Sequence, residues 1–202
     1  MRKVGAIILA AGLSRRMGQR NKLLLPVRGM PMIRHVVKTY RAVTSGRVLV
    51  VTGFEAPAIT AALDGLDTRI VHNPDFADGQ QTSVTCGLRA AESCEQMLIG
   101  LGDQPALTPD DLRLLLAAQT DTDPARISIP VRCNQRGNPI VVTRALHAHL
   151  LANPVSPGCK TFIRDHPEQV QFHSLPSPGF YADVDTPEAY NAFVTADLKE
   201  VL

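Results

Sequence analysis

The chain reads as an α/β protein: a mostly parallel sheet in a three-layer arrangement, with helices on both faces. Three observations predict this class. Apolar strand-like runs alternate with helix-period segments over residues 4–131. The first run breaks into a small-residue loop carrying Gly12, Arg15, Arg16, Gly18 and Lys22. A later run, residues 98–103, ends in the carboxylate of Asp103, and in open parallel sheets ligands gather outside the carboxyl ends of strands.

In chain order, the strands are expected at residues 4–9, 47–52, 68–72, 97–101 and 127–131. Helices are expected at 32–43, 56–63, 82–92 and 109–119. The last is well signposted: Thr108 can cap it, Pro109 suits its first turn, and Asp110 and Asp111 face the positive helix end. After Val131 the regularity weakens. Pro139, Pro154, Pro157, Pro167, Pro176 and Pro178 interrupt residues 132–181, which read as an irregular flap or lobe holding a strand at 139–142 and a short helix at 158–165. A helix at 188–200 closes the chain after Thr186-Pro187.

A chain of 202 residues buries one sizeable core and is short for two full domains, so a single domain over 1–202 is expected. Apolar residues make up 45% of it, yet no apolar run reaches the roughly 20 residues of a membrane span. Met1-Arg2-Lys3-Val4 leads straight into the first strand, which leaves no room for a cleavable signal, and a cytoplasmic location is expected. A net charge of +2 argues for neither nucleic acid nor a membrane surface as partner. Cys86, Cys94, Cys133 and Cys159 form no Cys-x-x-Cys pair and read as reduced structural thiols. The six histidines show neither HxxxH nor HExxH spacing and read as surface or packing residues.

The loop after the first strand carries the chemistry. Its glycines let backbone N–H groups approach anionic oxygens, and Arg15, Arg16 and Lys22 add charge-assisted hydrogen bonds, a composition suited to a triphosphate. It is not a P-loop, because five residues instead of four separate Gly12 from Gly18 and Gln19 follows. Nor is it the dinucleotide fingerprint, because Gly12-Leu13-Ser14 lacks the second glycine. A plain solvated loop is the bland alternative. The acidic element Asp183-Val184-Asp185 comes late and can fold back to the edge that carries Asp103. Magnesium prefers a few carboxylates completed by water and phosphate oxygens. Asp185 or Thr186 could equally cap the final helix.

The stretch LAAGLSRRMGQRNKLLLP, with GLGDQPAL, RGNPIVV and DVDTPEAY in that order, resembles the nucleotidyltransferases that make nucleoside-diphosphate sugars and cofactor dinucleotides. Within that group it is most similar to the cytidylyltransferases of the molybdenum cofactor. The resemblance implies a Rossmann-like fold of the nucleotide-diphospho-sugar transferase type, with a nucleotide-binding part at 1–131 and an acceptor-binding part at 132–202. It implies transfer of CMP from CTP to the phosphate of molybdopterin or the molybdenum cofactor, with Mg²⁺, or Mn²⁺ in its place, on Asp103 and Asp185. Relatives often have asparagine at the latter position, and Asp183 could share the metal.

By the same resemblance, Lys22, Arg16 and Asp103 are catalytic, with Lys22 at the α-phosphate and Arg16 at the β- and γ-phosphates. Leu9, Ala10, Ala11, Gly12, Ser14, Arg15 and Gly18 line the nucleotide. Asn73, Gly79, Gln80 and Ser83 hold base and ribose, or else form only a turn and a capped helix. Ala11 matches the cytidylyl enzymes, where guanylyl relatives have glycine; its β-carbon would narrow the pocket against a purine. Arg132, Arg136, Gly137, Asn138 and Lys160 would face the acceptor. Relatives commonly have histidine at Asn138 and Gly-Ala-Arg at Gly158-Cys159-Lys160, which bears on the acceptor and leaves the reaction class untouched. A molybdenum hydroxylase or its maturation chaperone would take the product. Rival readings are a cytidylyltransferase of a methylerythritol or sugar phosphate and a non-catalytic cofactor carrier.

Overall fold

The computed structural model describes residues 2–18, 20–121, 123–152 and 159–201. Strand β1 (Val4–Ala10) leads into the loop, followed by a small hairpin of β2 (Pro26–Val27) and β3 (Met30–Pro31). Helix α1 (Met32–Arg41), β4 (Val48–Thr52), α2 (Ala56–Ala62), β5 (Thr68–His72), α3 (Gln80–Ala90), β6 (Gln96–Leu101), α4 (Pro109–Thr120) and β7 (Ile127–Arg132) continue the alternation. Then come β8 (Gln135–Arg136), β9 (Ile140–Thr143), α5 (Arg144–Ala152), α6 (Cys159–Asp165), β10 (Val170–Ser174) and α7 (Pro187–Val201).

One sheet runs in the order β10-β7-β9-β6-β1-β4-β5, with β8 paired to β7. Strands β6, β1, β4 and β5 are mutually parallel, whereas β9 runs antiparallel to both of its neighbours. Alternation along β1 divides the core: Ala6, Ile8 and Ala10 face the layer of α1, α2 and α4, and Ile7 and Leu9 face that of α3, α5 and α6. Burying side chains such as Ile7 and Ile8 completely contributes about 1.5–3 kcal/mol each.

Two expectations need correction. The described part of 132–181 is not an irregular flap. Strand β9 lies inside the sheet between β6 and β7, α5 was not anticipated, and β10 forms an edge beside β7. The prolines conceal this because Pro139, Pro167, Pro176 and Pro178 fall just before β9 and in connections, not inside its strands or α-helices, while Pro154 and Pro157 lie outside the described residues. Helix α3 begins at Gln80, two residues before expectation, because Gly79 (φ 112°) ends the preceding turn in a conformation that starts the helix directly after it. Residue 158, expected to open the short helix, lies outside the described residues.

The cap of α4 is as expected, with Thr108 Oγ1 accepting from Asp111 N and Asp111 Oδ2 from Thr108 N. At α7 the cap is Thr186, whose Oγ1 accepts from Ala189 N, so Asp185 is left to other partners. No helix among the described residues is long and apolar enough to cross a membrane.

Candidate active site

Register places the site. Leu9 stands level with Leu101 across β1 and β6, and Gly102 N bonds Leu9 O at 3.0 Å, so Asp103 emerges beside the loop that follows β1. The late acidic segment docks against it: Val184 N donates to Asp103 O at 2.9 Å and its side chain enters the core. Asp183 and Asp185, on either side, face outward into one cavity. Lys22 comes from the loop itself. Ser14 Oγ accepts from Lys22 N at 3.3 Å, and Asn21 Oδ1 caps the turn that Lys22 begins by accepting from Leu23 N at 3.1 Å.

The Lys22 ammonium bonds Asp103 Oδ2 and lies 2.6 Å from Asp185 Oδ1, while Arg16 Nη2 is 2.8 Å from Asp185 Oδ2. Burial works against the charge on Lys22, but the two carboxylates outweigh it and raise its pKa above the ordinary lysine value. Asp185 is affected in the opposite sense: burial opposes its charge, yet Lys22 and Arg16 hold it below the usual carboxylate range. Asp183 is pushed up to about 6, first by burial and then by the negative charge of Asp103, against the bond it accepts from Gln104.

The donor set suits a divalent cation. Asp103 and Asp185 offer hard carboxylate oxygens to a common cation position, and Asp103 Oδ1 is buried without a hydrogen-bond partner among the described residues. Among the described residues no group of three or more His, Cys, Asp or Glu could hold a metal. Such an ion therefore needs further oxygens from water or from a ligand.

A cavity of about 370 Å³ opens at these charges, lined by Leu9, Ala11, Gly12, Arg16, Lys22, Phe76, Gly79, Gln80, Ser83, Asp103, Asp183 and Asp185, among others. A larger one of about 980 Å³ adjoins it, with Leu9, Gln80, Leu101 and Asp183 common to both walls. Arg136, Asn138, Lys160 and Arg164 line its polar side, and Val84, Ile99, Ile140, Cys159 and Ile163 its apolar side. Both volumes are in the range of small-molecule sites.

Several expected residues stand elsewhere. Asn73 is buried and donates to Thr82 Oγ1 and Ser83 Oγ at 2.9 and 3.0 Å, bracing the start of α3 without lining the smaller cavity. Arg132 stacks over Tyr181 at 4.7 Å and bonds Pro176 O, outside the lining of the larger cavity. Gly137 lets the 136–138 turn approach its neighbour, since a β-carbon there would stand 2.6 Å from Phe180 O. Arg15 is exposed and Ala10 buried, neither of them in the cavity wall. Gly18 (φ 67°) and Ser14 (φ 50°) shape the loop backbone.

Sequence reasoning gave Phe76 and Gln81 no role of their own within the 73–83 stretch expected to hold base and ribose, and missed Gly53 and Thr161. A β-carbon on Gly53 would stand 2.5 Å from Phe76 Cβ and 2.9 Å from that of Ala11, so this glycine is what allows the two wall residues to approach. Its position just after β4, at the carboxyl edge of the sheet, was the available signal.

The mostly parallel sheet carries at its carboxyl edge a basic glycine loop, two convergent carboxylates and paired cavities, the place where open α/β sheets take their ligands, and the fold is of the nucleotide-diphospho-sugar transferase type. The chain belongs to the MobA-like NTP transferase domain family, whose model matches residues 6–170. It is similar to nicotine blue oxidoreductase of Paenarthrobacter nicotinovorans, with 31% identity over 92% of this chain and 93% of that one. It is also similar to molybdenum cofactor cytidylyltransferase of Escherichia coli K12, with 28% identity over 97% and 96% respectively. In fold it matches a nucleotidyl transferase from Methanothermobacter thermautotroptrophicus, with TM-score 0.82 over 98% of this chain and 99% of that one at 24% identity.

Proposed function

We propose that the protein transfers CMP from CTP to the phosphate of molybdopterin or the molybdenum cofactor, giving a cytosine dinucleotide cofactor and pyrophosphate. The observation that carries this reading is the convergence of Lys22, Arg16, Asp103 and Asp185 where the two cavities meet. Similarity over nearly the full chain to a protein named for this activity supports it.

In this reading the smaller cavity takes CTP. Lys22 contacts the α-phosphate, where charge builds as pyrophosphate leaves, and Arg16 holds the β- and γ-phosphates with the amides around Gly12. A β-carbon on Gly12 would meet no atom of the described residues within 4 Å, so their packing does not require glycine there, whereas a closely approaching phosphate does. Ala11 and Phe76 form the wall beside the base, with Gln80 and Ser83 offering hydrogen bonds. Asp103 and Asp185 hold the divalent ion, which when bound neutralises phosphate charge.

The larger cavity takes the acceptor, with Arg136, Asn138 and Lys160 facing its anionic end and the apolar wall its ring system. A phosphate monoester is largely dianionic at neutral pH, so alignment suffices and no general base is needed. The product would pass to a molybdenum hydroxylase or its maturation chaperone, and the site of action is the cytoplasm.

The test is pyrophosphate release from each of the four nucleoside triphosphates with purified molybdopterin, Mg²⁺ and the folded protein. Preference for CTP is expected. Release with a sugar or methylerythritol phosphate but not molybdopterin would replace the acceptor. Release from no nucleotide would leave the redox chemistry in the name of the 31% relative as the better guide.

A further inference from the structure

Asp103 and Asp185 already hold a cation, and it belongs to the protein. The Lys22 side chain is 11% exposed and bonds both carboxylates, while Arg16 takes the second oxygen of Asp185. The four charges cancel. Resting on the reading that these carboxylates hold the divalent ion, we infer that Lys22 is an internal counter-ion that excludes the ion until a triphosphate draws the ammonium away, so that metal and nucleotide enter as one complex.

An ammonium and a metal ion cannot occupy the same carboxylate oxygens. A bare divalent ion would add two positive charges beside Lys22 and Arg16 in a partly buried place, where such charge is poorly screened, with Asp183 the one further carboxyl in that cavity wall among the described residues. It would also find too few ligands, since no group of three candidate side chains is present among the described residues. A metal triphosphate removes both obstacles. Its oxygens complete the coordination, and its negative charge gives Lys22 and Arg16 new partners.

The backbone of Lys22 is anchored by Ser14 and by the Asn21-capped turn, so exchange asks only for rotation of a flexible four-carbon stem. The same side chain then stands ready at the phosphate, and its release from the carboxylates is coupled to filling of the site.

The experiment measures Mn²⁺ binding by the loss of the free-ion EPR signal, without acceptor, in wild type, Lys22→Met and Lys22→Met/Asp103→Asn, each with and without CTP, the CTP arms read against the same Mn²⁺ and CTP without protein, since CTP binds Mn²⁺ in solution. Wild type should bind Mn²⁺ weakly alone and at least tenfold more tightly with CTP. Lys22→Met should bind Mn²⁺ at least tenfold more tightly than wild type without CTP, and Asp103→Asn should abolish that gain. Removing Lys22 leaves two facing carboxylates, so melting is recorded as well: Mn²⁺ alone should raise the Tm of Lys22→Met and leave that of wild type nearly unchanged. Tight Mn²⁺ binding by wild type without CTP overturns the inference, as does equal affinity in wild type and Lys22→Met. Binding to neither protein even with CTP overturns the metal reading beneath it.

Discussion

The ammonium of Lys22 lies 2.6 Å from the carboxylate of Asp185, although 163 residues separate them in the chain. Asp185 reaches that position because Thr186, one residue later, takes the capping of α7 and Val184, one residue earlier, is bound to Asp103. The contact joins the loop after the first strand to the segment before the last helix.

If this group acts on the triphosphate, its members should fail in different ways. Asp103→Ala should lower turnover about a hundredfold or more, the scale seen when one electrostatic stabiliser is lost. Lys22→Ala should reduce kcat more than CTP binding, because its charge is most useful in the transition state, whereas Arg16→Ala should weaken binding as well. Steady-state kinetics with CTP varied reads all three. A Lys22→Ala enzyme altered only in KM would remove Lys22 from the chemical step.

Base choice should respond to Ala11. Its β-carbon belongs to a wall that Phe76 continues, the two brought close by Gly53, and one methyl group typically discriminates by about 1–3 kcal/mol. Wild type should prefer CTP, and Ala11→Gly should gain GTP activity by roughly tenfold or more while keeping much of its CTP activity. The ratio of kcat/KM for the two nucleotides decides; an unchanged ratio takes Ala11 out of the specificity argument.

Gln104 should matter beyond its contribution to folding. It is buried, and its amide donates to Asp183 Oδ1 at 2.8 Å and to Phe180 O at 3.1 Å, a carbonyl that also receives Asn138 N. Its removal loosens the acidic segment and the 136–138 turn together. Gln104→Leu should cost about 1.5–3 kcal/mol of stability, as for a buried hydrogen bond to a charged group. Turnover should fall roughly tenfold through misalignment, well below the temperature where the variant melts. Full turnover in the variant would reduce Gln104 to packing.

Thiol reactivity should follow burial. Burial pushes Cys159 up to about 12, so it stays protonated at pH 8, while Cys133 is exposed. A thiol whose folded pKa is raised makes no pH-dependent contribution well below its ordinary value of 9.0, and stability declines as pH rises above that value because the unfolded thiol ionises first. Limited alkylation at pH 8, read by mass spectrometry, should modify Cys133 first and Cys159 only on unfolding. Early labelling of Cys159 would contradict the closed apolar wall of the larger cavity.

The first half of the fold was largely legible because β1 and β4 are near-continuous apolar runs and the helices between the strands have their own period, signals that survive in a linear reading; the two-residue strands β2 and β3 carry no such signal. The strand at Thr68–His72 has the bounds expected of it, and the cap at Thr108 is the one its residues suggest. Residues 132–181 were less legible. Strand β9 is four residues long and antiparallel within a mostly parallel sheet, so its place depends on β6 and β7 and not on its own pattern.

For the candidate site, the sequence by itself determined the residue types: a glycine and arginine loop ending in Lys22, a strand ending in Asp103, and a late pair of aspartates. Local chemistry suffices for that, since each motif carries its own backbone and charge preferences. Only the tertiary structure decided which of these residues meet. It brought Asp103 and Asp185 onto the single ammonium of Lys22, turned Arg132 toward Tyr181 and Asn73 toward Ser83, and let Gly53 admit Phe76 to the cavity wall. The physical reason is that ion pairing and close packing depend on distances between side chains that only sheet register and helix docking set.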